Sequence, residues 1–273
     1  MPKFNQTQDV PPVNSPQIKK DRPISYRVAN LQGIGARQRQ EDAFAFANVL
    51  DVVAIKNKGL LAIVADGMGG MKDGRLASDN AIEVIRSAFE NLDYESDIFS
   101  QLKDALLSAN ERVYSLLDGE GGSTAIVCLF YDSHLYFASV GDSYLLLKRG
   151  PSLYLLNKLQ NVQHEVYAET IRGGGFDPSI ARSDPEKAAV TQYLGIDELT
   201  DIDGFVRPLR LRDSDVVMLC SDGVAGVLDE ETMLRCLENP APEQMTKELE
   251  EQIILRGLPY QDNYTALIIK CEN

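Results

Sequence analysis

Leu60-Leu61-Ala62-Ile63-Val64-Ala65 runs directly into Asp66-Gly67-Met68-Gly69-Gly70. An apolar run of this length that ends at turn residues predicts a buried β-strand. The glycines permit a tight turn and bring a peptide carbonyl, here that of Gly67, close to a ligand. Asp66 is therefore predicted to stand at the rim of a core as a rigidly held carboxylate. Taken alone, the stretch fits an ordinary turn with an aspartate cap equally well.

Three further aspartates occupy the same kind of position. Asp222 follows an apolar run at 216–221, Asp142 follows 138–141, and Asp262 precedes a run that begins at Tyr264. Like charges held close together are unfavourable unless a cation neutralises them, and oxygen-only ligand sets favour magnesium or manganese over zinc. Each turn is unremarkable in isolation. Four such coincidences at strand ends favour a metal-dependent hydrolase.

A polar stretch at 37–42 supplies further candidates. The Glu41 and Asp42 carboxylates could bind a metal directly or through water, and the Arg37 guanidinium could grip a phosphate with two hydrogen bonds. On its own, the stretch fits a solvated polar loop better. Other chemistries have weaker support, because the chain has two histidines and no G-x-S-x-G, dinucleotide or Walker motif.

Composition limits the class of protein. The 273 residues carry a formal net charge of -14 and a pI near 4.6. This acidity argues against nucleic acid or an anionic membrane as the partner, since both need a basic face. An anionic substrate would need bound cations to reverse the potential locally. The four cysteines have no CxxC spacing, so neither a zinc cluster nor a disulfide framework is predicted.

The ends of the chain divide it unequally. Residues 1–22 are polar, proline-containing and aperiodic, which predicts a flexible tail, and 23–273 are predicted to form a single domain. The first residues do not resemble a signal peptide, and no run of 18 apolar residues predicts a membrane span. We expect a cytoplasmic protein.

Periodicity predicts the secondary structure. Helical spacing of apolar residues is clearest at 79–92 and 98–117, and helices are also predicted at 163–172, 229–238 and 242–256. Strands are predicted at 25–35, 43–48, 60–65, 123–131, 135–140, 144–149, 152–156, 216–220 and 267–270. Strands and helices do not alternate one by one, so antiparallel sheets with helices outside them fit better than a doubly wound parallel sheet.

The motifs, in this order, resemble the metal-dependent protein serine/threonine phosphatases of type 2C in their short bacterial form. The matching stretches extend over nearly all of 25–273 and comprise 37–42, 64–70, 122–124, 139–143, 191–195, 219–223 and 262–265. The resemblance implies an α+β fold, a four-layer αββα sandwich of two antiparallel β-sheets flanked by helix pairs. It also implies a binuclear metal site at one end and a flap at about 163–194.

The resemblance also implies roles for residues. Asp66 is similar to the carboxylate that bridges two metal ions, with the Gly67 carbonyl on one of them. The other carboxylates implied as ligands are Asp222 and Asp262 on the second metal, Asp42 in the same cluster, and Asp142 with Asp222 on a third, looser metal. Arg37 resembles the arginine that grips phosphate, and Glu41 a residue that orders water. The expected metals are manganese or magnesium.

The implied reaction is hydrolysis of phosphoserine and phosphothreonine in proteins by a water activated between two metals, without a phosphoenzyme intermediate. The implied partners are phosphorylated proteins in signal transduction, including a serine/threonine kinase. Neither nucleic acid nor a membrane is expected, and we expect a monomer. A catalytically silent binding module and a hydrolase of another phosphate ester, such as a nucleotide, remain alternatives.

Three departures from the family pattern concern substrate handling. Met68 stands where some members carry a histidine that could act as a general acid, and Tyr144 stands where arginine is usual. The usual Asp-His-Ser before the flap is reduced to Gln163-His164-Glu165. We therefore expect a divergent flap, with all the implied metal carboxylates kept.

Overall fold

Two antiparallel sheets form the centre of the fold. The computed structural model describes residues 23–175 and 178–273. In spatial order, the β1 sheet consists of β1 (Ser25–Gly33), β11 (Tyr264–Glu272), β10 (Val216–Cys220), β6 (Tyr144–Arg149) and β7 (Ser152–Leu155). The β3 sheet consists of β2 (Ala43–Ala47), β3 (Leu60–Ala65), β4 (Ala125–Tyr131) and β5 (His134–Val140), with the short β8 (Asp203–Gly204) and β9 (Leu209–Arg210) both paired to β5.

Helices cover the outer face of each sheet. The helices of the described residues are α1 (Val52–Lys58), α2 (Gly74–Glu90), α3 (Ile98–Leu117), α4 (Val162–Arg172), α5 (Pro178–Ser183), α6 (Asp222–Ala225), α7 (Glu230–Cys236) and α8 (Pro242–Arg256). The long pair α2 and α3 packs on the β3 sheet, while α6, α7 and α8 pack on the β1 sheet. None of the described helices is long and apolar enough to cross a membrane.

Three apolar clusters hold these layers together. Along β3, alternate residues face opposite sides, because successive side chains of a strand point to opposite faces. Leu61 and Ile63 pack under α2 and α3, whereas Leu60, Ala62 and Val64 pack between the two sheets. Burial on both faces explains why the strand is continuously apolar. The layers run helix, sheet, sheet, helix, which confirms the predicted four-layer α+β sandwich.

The strand register brings the acidic residues to one edge. Ala43 at the start of β2 pairs with Ala65 at the end of β3, and Cys220 at the end of β10 pairs with Ala266 near the start of β11. The five aspartates predicted as site residues, Asp42, Asp66, Asp142, Asp222 and Asp262, all lie within two residues of a strand end. Antiparallel pairing therefore brings residues that are far apart in sequence close together in space.

Some elements differ from the sequence prediction. Helix α2 begins at Gly74 rather than 79, because the Asp73 side chain caps it by accepting a hydrogen bond from Leu76 N. Helix α1 was not predicted; it has no buried residue and so leaves no apolar period. The short elements α6, β8 and β9 were also not predicted, and β11 is longer than 267–270. The predicted tail at 1–22 and residues 176–177 of the predicted flap lie outside the described residues.

Candidate metal centre

The backbone around Asp66 is held by side chains of the neighbouring strand. Asp66 N donates to Thr124 Oγ1 at 3.1 Å, and Asp66 O accepts from Thr124 N at 2.8 Å and from Ser123 Oγ at 3.0 Å. At Gly67, a Cβ atom would lie 2.1 Å from the carbonyl oxygen of Gly74. Only glycine fits there, so the turn after β3 requires the residue that the sequence supplies.

Several carboxylates converge on the Asp66 side chain. The Asp66 carboxyl lies beside the Asp42 and Asp222 carboxyls. Burial raises the pKa of Asp66 well above its usual range, and the negative charges of Asp42, Asp222, Asp142 and Asp262 raise it further. The structure therefore brings all five predicted aspartates into one electrostatic cluster.

Asp42 is the most enclosed member of this cluster. Its side chain is 1% exposed and accepts a hydrogen bond from Ser221 Oγ at 2.8 Å. Burial raises the pKa of Asp42 to about 6, although hydrogen bonds from Thr265 and Ser221 counteract part of the shift. Ser221 also accepts from Thr265 N, so one hydroxyl joins the start of β2 to β10 and β11.

Asp142 lies in the turn between β5 and β6, which joins the two sheets, and Asp222 is the first residue of α6 after β10. Burial raises the pKa of Asp142 to about 6, and the charge of Asp222 adds to the shift. Partial desolvation by the surrounding protein raises the pKa of Asp222, and the negative charge of Asp262 raises it further. Because Asp222 is exposed at the mouth of the cluster, water screens part of this repulsion. Tyr144 lies beside both aspartates, and burial with the charge of Asp142 raises its pKa to about 12.

Arg37 and Glu41 lie above the glycine turn. Arg37 Nη2 donates to Asp262 Oδ2 at 2.5 Å, with both side chains partly exposed. A Cβ atom on Gly69 would lie 2.4 Å from Glu41 Oε2 and 3.5 Å from Arg37 Nη1. The bare backbone at Gly69 thus leaves room for a carboxylate and a guanidinium side by side. This places a cation next to the acidic cluster, where an anion could bind.

Two asparagines support the site, and the sequence analysis assigned neither a role. Asn263 Oδ1 accepts from Glu41 N at 2.7 Å, and its Nδ2 donates to Ile34 O and Arg39 O, which holds the 34–41 loop. Asn161 caps α4 and donates from Nδ2 to Asp142 Oδ2 at 3.3 Å. In the sequence, only their positions could have indicated these roles: Asn263 follows Asp262, and Asn161 precedes a predicted helix.

The donor chemistry of the cluster fits hard divalent cations. Carboxylate oxygens from Asp42, Asp66, Asp222 and Asp262, with Asp142 nearby, form an all-oxygen set, and their mutual repulsion is what a bound cation would relieve. As placed in the described part of the chain, no group of three or more His, Cys, Asp or Glu residues is arranged so that it could hold a metal ion. One of the predicted ligands, Asp262, is instead paired with Arg37.

The segment predicted as a flap, about 163–194, follows Asn161 directly after the first residue of α4. Helix α4 follows at Val162–Arg172 and α5 at Pro178–Ser183, and Asn161 pairs with Val190 where the segment returns to the body. Gln160 anchors its base, because Gln160 Oε1 accepts from Gly141 N at 2.7 Å and its Nε2 donates to Asp201 O. The segment therefore starts next to Asp142. Its role as a flap stays a prediction.

Comparison with known proteins shows what this arrangement is similar to. The family Protein phosphatase 2C matches residues 26–171. The serine/threonine phosphatase Stp of Listeria innocua is 28% identical over 225 residues, which cover 79% of this chain and 86% of Stp. The crystal structure of the Mycobacterium tuberculosis serine/threonine phosphatase PstP/Ppp has a TM-score of 0.74 at 25% identity and covers 92% of this chain and 100% of that one.

A second solved structure is the catalytic domain of a serine/threonine protein phosphatase PstP in complex with two manganese ions. It has a TM-score of 0.71 at 24% identity and covers 92% of this chain and 100% of that one. At this identity the likeness concerns the fold. It agrees with the two antiparallel sheets and outer helices described above.

Proposed function

Because this chain belongs to the protein phosphatase 2C family, we propose that it hydrolyses phosphoserine and phosphothreonine in proteins with the help of divalent cations held around Asp66. It is a protein serine/threonine phosphatase. The observation that carries the metal dependence is the convergence of five aspartates on one edge, where each negative charge raises the pKa of Asp66. Such a cluster favours cation binding.

The proposed ligands follow from this cluster. Asp66, with the Gly67 carbonyl and the Asp42, Asp222 and Asp262 carboxylates, would hold two ions, and Asp142 with Asp222 a third, weaker one. Oxygen-only donors and the manganese complex of PstP support Mn²⁺ or Mg²⁺. When bound, the cations lower the pKa of water so that hydroxide is available near neutral pH, and they offset charge on the phosphate.

The side chains of the chain itself bind and orient the reactants. Arg37 binds two phosphate oxygens through its planar guanidinium, in competition with its hydrogen bond to Asp262. Glu41, beside Gly69, accepts a hydrogen bond from the attacking water and orients it. Met68 has no proton to give, so the leaving alkoxide takes its proton from water at the site or from another group. Water attacks phosphorus directly, without a phosphoenzyme.

The remaining expectations belong to this proposal. The chain acts as one catalytic domain at 23–273 with a tail at 1–22, as a monomer, in the cytoplasm. Its substrates are phosphorylated proteins, among them a serine/threonine kinase. These statements rest on the family and on the acidic composition, which disfavours nucleic acid and anionic membranes.

Turnover of para-nitrophenyl phosphate and of a phosphothreonine peptide tests the proposal. We expect activity only with added Mn²⁺ or Mg²⁺, and a loss of at least about a hundredfold in Asp66→Asn and in Asp222→Asn. Asp104→Asn on the exposed face of α3 is the matched control and should retain wild-type rates. Wild-type rates in both cluster variants, or full activity in the presence of a chelator, would contradict the proposal.

A further inference from the structure

A cleft with apolar walls opens between the 34–36 loop and the end of α8. Its volume is about 330 Å³, and Ile34, Ile254 and Leu258 line it. These side chains are 44%, 65% and 46% exposed, respectively. Aliphatic side chains exposed together around a concavity are a feature of binding sites, since their burial by a partner is favourable.

The cleft is continuous with the Arg37–Asp262 pair. Two of its wall residues, Ala36 and Gln261, directly precede Arg37 and Asp262 in sequence, and Ala36 N donates to Gln261 O at 2.8 Å. The two segments lie so close at Gly35 that a Cβ atom there would be 2.3 Å from Asp262 O, and the φ of Gly35 is +62°. The same two segments therefore form the wall of the cleft and carry the groups proposed to meet phosphate.

An unused hydrogen-bond acceptor belongs to the same wall. Gln261 is 8% exposed, and its Nε2 donates to Gly223 O at 3.0 Å and to Asp262 O at 3.2 Å. Its buried Oε1 has no hydrogen-bond partner among the described residues. Buried polar atoms are nearly always paired, so an orphan acceptor on a residue that lines the cleft suits a ligand that brings a donor once the Gln261 side chain turns towards it. The backbone N–H of an extended peptide is such a donor.

We propose that this cleft binds an apolar side chain of the phosphoprotein substrate, close in sequence to the phosphorylated residue, and so sets substrate specificity. The inference rests on the proposed function. Because Ala36 and Gln261 of the cleft wall adjoin Arg37 and Asp262 in sequence, the side chain that enters the cleft belongs to a residue near the phosphorylated one. The cleft volume of about 330 Å³ is of the size of a single side chain. A stable dimer needs a much larger contact, with roughly 1,200 Å² or more of buried surface.

Phosphothreonine peptides that carry leucine or alanine at each position within three residues of the phosphothreonine test this inference. In the wild type with Mn²⁺, we expect leucine at one position to raise kcat/KM about tenfold over alanine. In Leu258→Ser and Ile254→Ser the ratio should fall towards one. Leu255→Ser is the matched control, because Leu255 is 77% exposed on the same helix but does not line the cleft. It should keep the wild-type ratio.

Direct binding separates failure of this inference from failure of the proposed function. Fluorescence anisotropy of the same peptides without turnover should show the same leucine preference, lost in Leu258→Ser and kept in Leu255→Ser. If para-nitrophenyl phosphate is hydrolysed but no peptide shows a leucine preference, the cleft assignment is wrong and the activity stands. If no phosphoester is hydrolysed, the proposed function fails, and the anisotropy ratio still decides the cleft. A dimer in light scattering that Leu258→Ser dissolves would assign the cleft to a second copy and overturn the inference.

Discussion

At the scale of single residues, the site combines acidic groups that repel one another with one arginine that neutralises part of the charge. Arg37 and Asp262 are 225 positions apart and form a direct hydrogen bond. In the proposed reaction this arginine exchanges a carboxylate for a phosphate, two groups that its planar guanidinium binds in similar ways. The exchange links phosphate binding to the release of a proposed metal ligand.

Replacement of Arg37 should therefore weaken substrate binding more than catalysis by the metals. In Arg37→Ala we expect KM for a phosphopeptide to rise about tenfold or more, since a charged hydrogen bond contributes about 1.5–3 kcal/mol. Metal affinity, measured by calorimetry, should not fall, because Arg37 donates no electron pair and its removal frees the Asp262 carboxylate. Arg37→Lys should give an intermediate KM. A selective loss of metal affinity would assign Arg37 another role.

Asp142 predicts how the metal-free protein responds to pH. The pKa of Asp142 is about 6 in the folded chain against an ordinary value of 3.8, so the folded state binds its proton more tightly than the unfolded state does. The metal-free protein should lose this contribution, no more than about 3 kcal/mol, as the pH rises from about 4 to 6. In chelator, Asp142→Asn should therefore be more stable than wild type at pH 7, but not at pH 4.

Thermal unfolding at the two pH values measures this difference. Asp104→Asn on the exposed surface of α3 serves as the control and should track the wild type at both. Because the prediction concerns the protein without metal, added Mn²⁺ should abolish the advantage of the variant. An Asp142→Asn protein with the same stability difference at pH 4 and pH 7 would show that Asp142 is not electrostatically strained.

At the scale of elements, the 34–41 loop and the start of β11 form one unit. Asn263 is 4% exposed and makes three hydrogen bonds with backbone groups of the loop, at 2.7, 2.9 and 3.0 Å. This unit positions both Arg37 and Glu41. It also forms one wall of the apolar cleft, so phosphate and peptide binding depend on the same support.

Truncation of Asn263 should loosen this unit. In Asn263→Ala, Glu41 N, Ile34 O and Arg39 O lose their partners, and we expect the free energy of unfolding to fall by about 3 kcal/mol, since these groups are partly buried and a fully buried unpaired group costs about 1–3 kcal/mol. KM should rise with it, because Arg37 is no longer held. Asn263→Asp keeps the acceptor for Glu41 N and should lie between the two. Urea unfolding and steady-state kinetics measure both effects, and unchanged values would remove Asn263 from the support of the site.

At the scale of the whole molecule, the chain has a net charge of -14 and gathers five aspartates at one edge of its two sheets. Three apolar clusters stabilise the four layers, and the acidic cluster opposes them in the absence of cations. Divalent cations should therefore act as stabilising ligands of the folded state as well as cofactors. This property can be measured without any substrate.

Manganese should raise the melting temperature at pH 7. At a free concentration of about 100 times the dissociation constant, binding stabilises the folded state by about 2.7 kcal/mol per site. Asp222→Asn should show a much smaller shift, and Asp104→Asn the wild-type shift, in differential scanning fluorimetry. Equal shifts in the wild type and Asp222→Asn would mean that the ions bind elsewhere.

The sequence determined the elements whose burial leaves a pattern. Strands such as β3 and β10 are continuous apolar runs, and α3 repeats its apolar residues at helical spacing, so their positions followed directly. The fold class followed from the order of these elements together with the family resemblance. Helix α1 and the two-residue strands left no signal, because α1 buries no residue completely and β8 and β9 are too short to show a period.

Only the tertiary structure decided which side chains meet. The sequence supplied the candidate aspartates, but the pairing of Arg37 with Asp262, the clamp by Asn263 and the contact of Asn161 with Asp142 depend on strand register and on the return of distant segments. Periodicity reports how deeply a residue is buried and says nothing of its partner. Residues become partners when distant strands pair, as β1 and β11 do in one register although they lie near opposite ends of the chain.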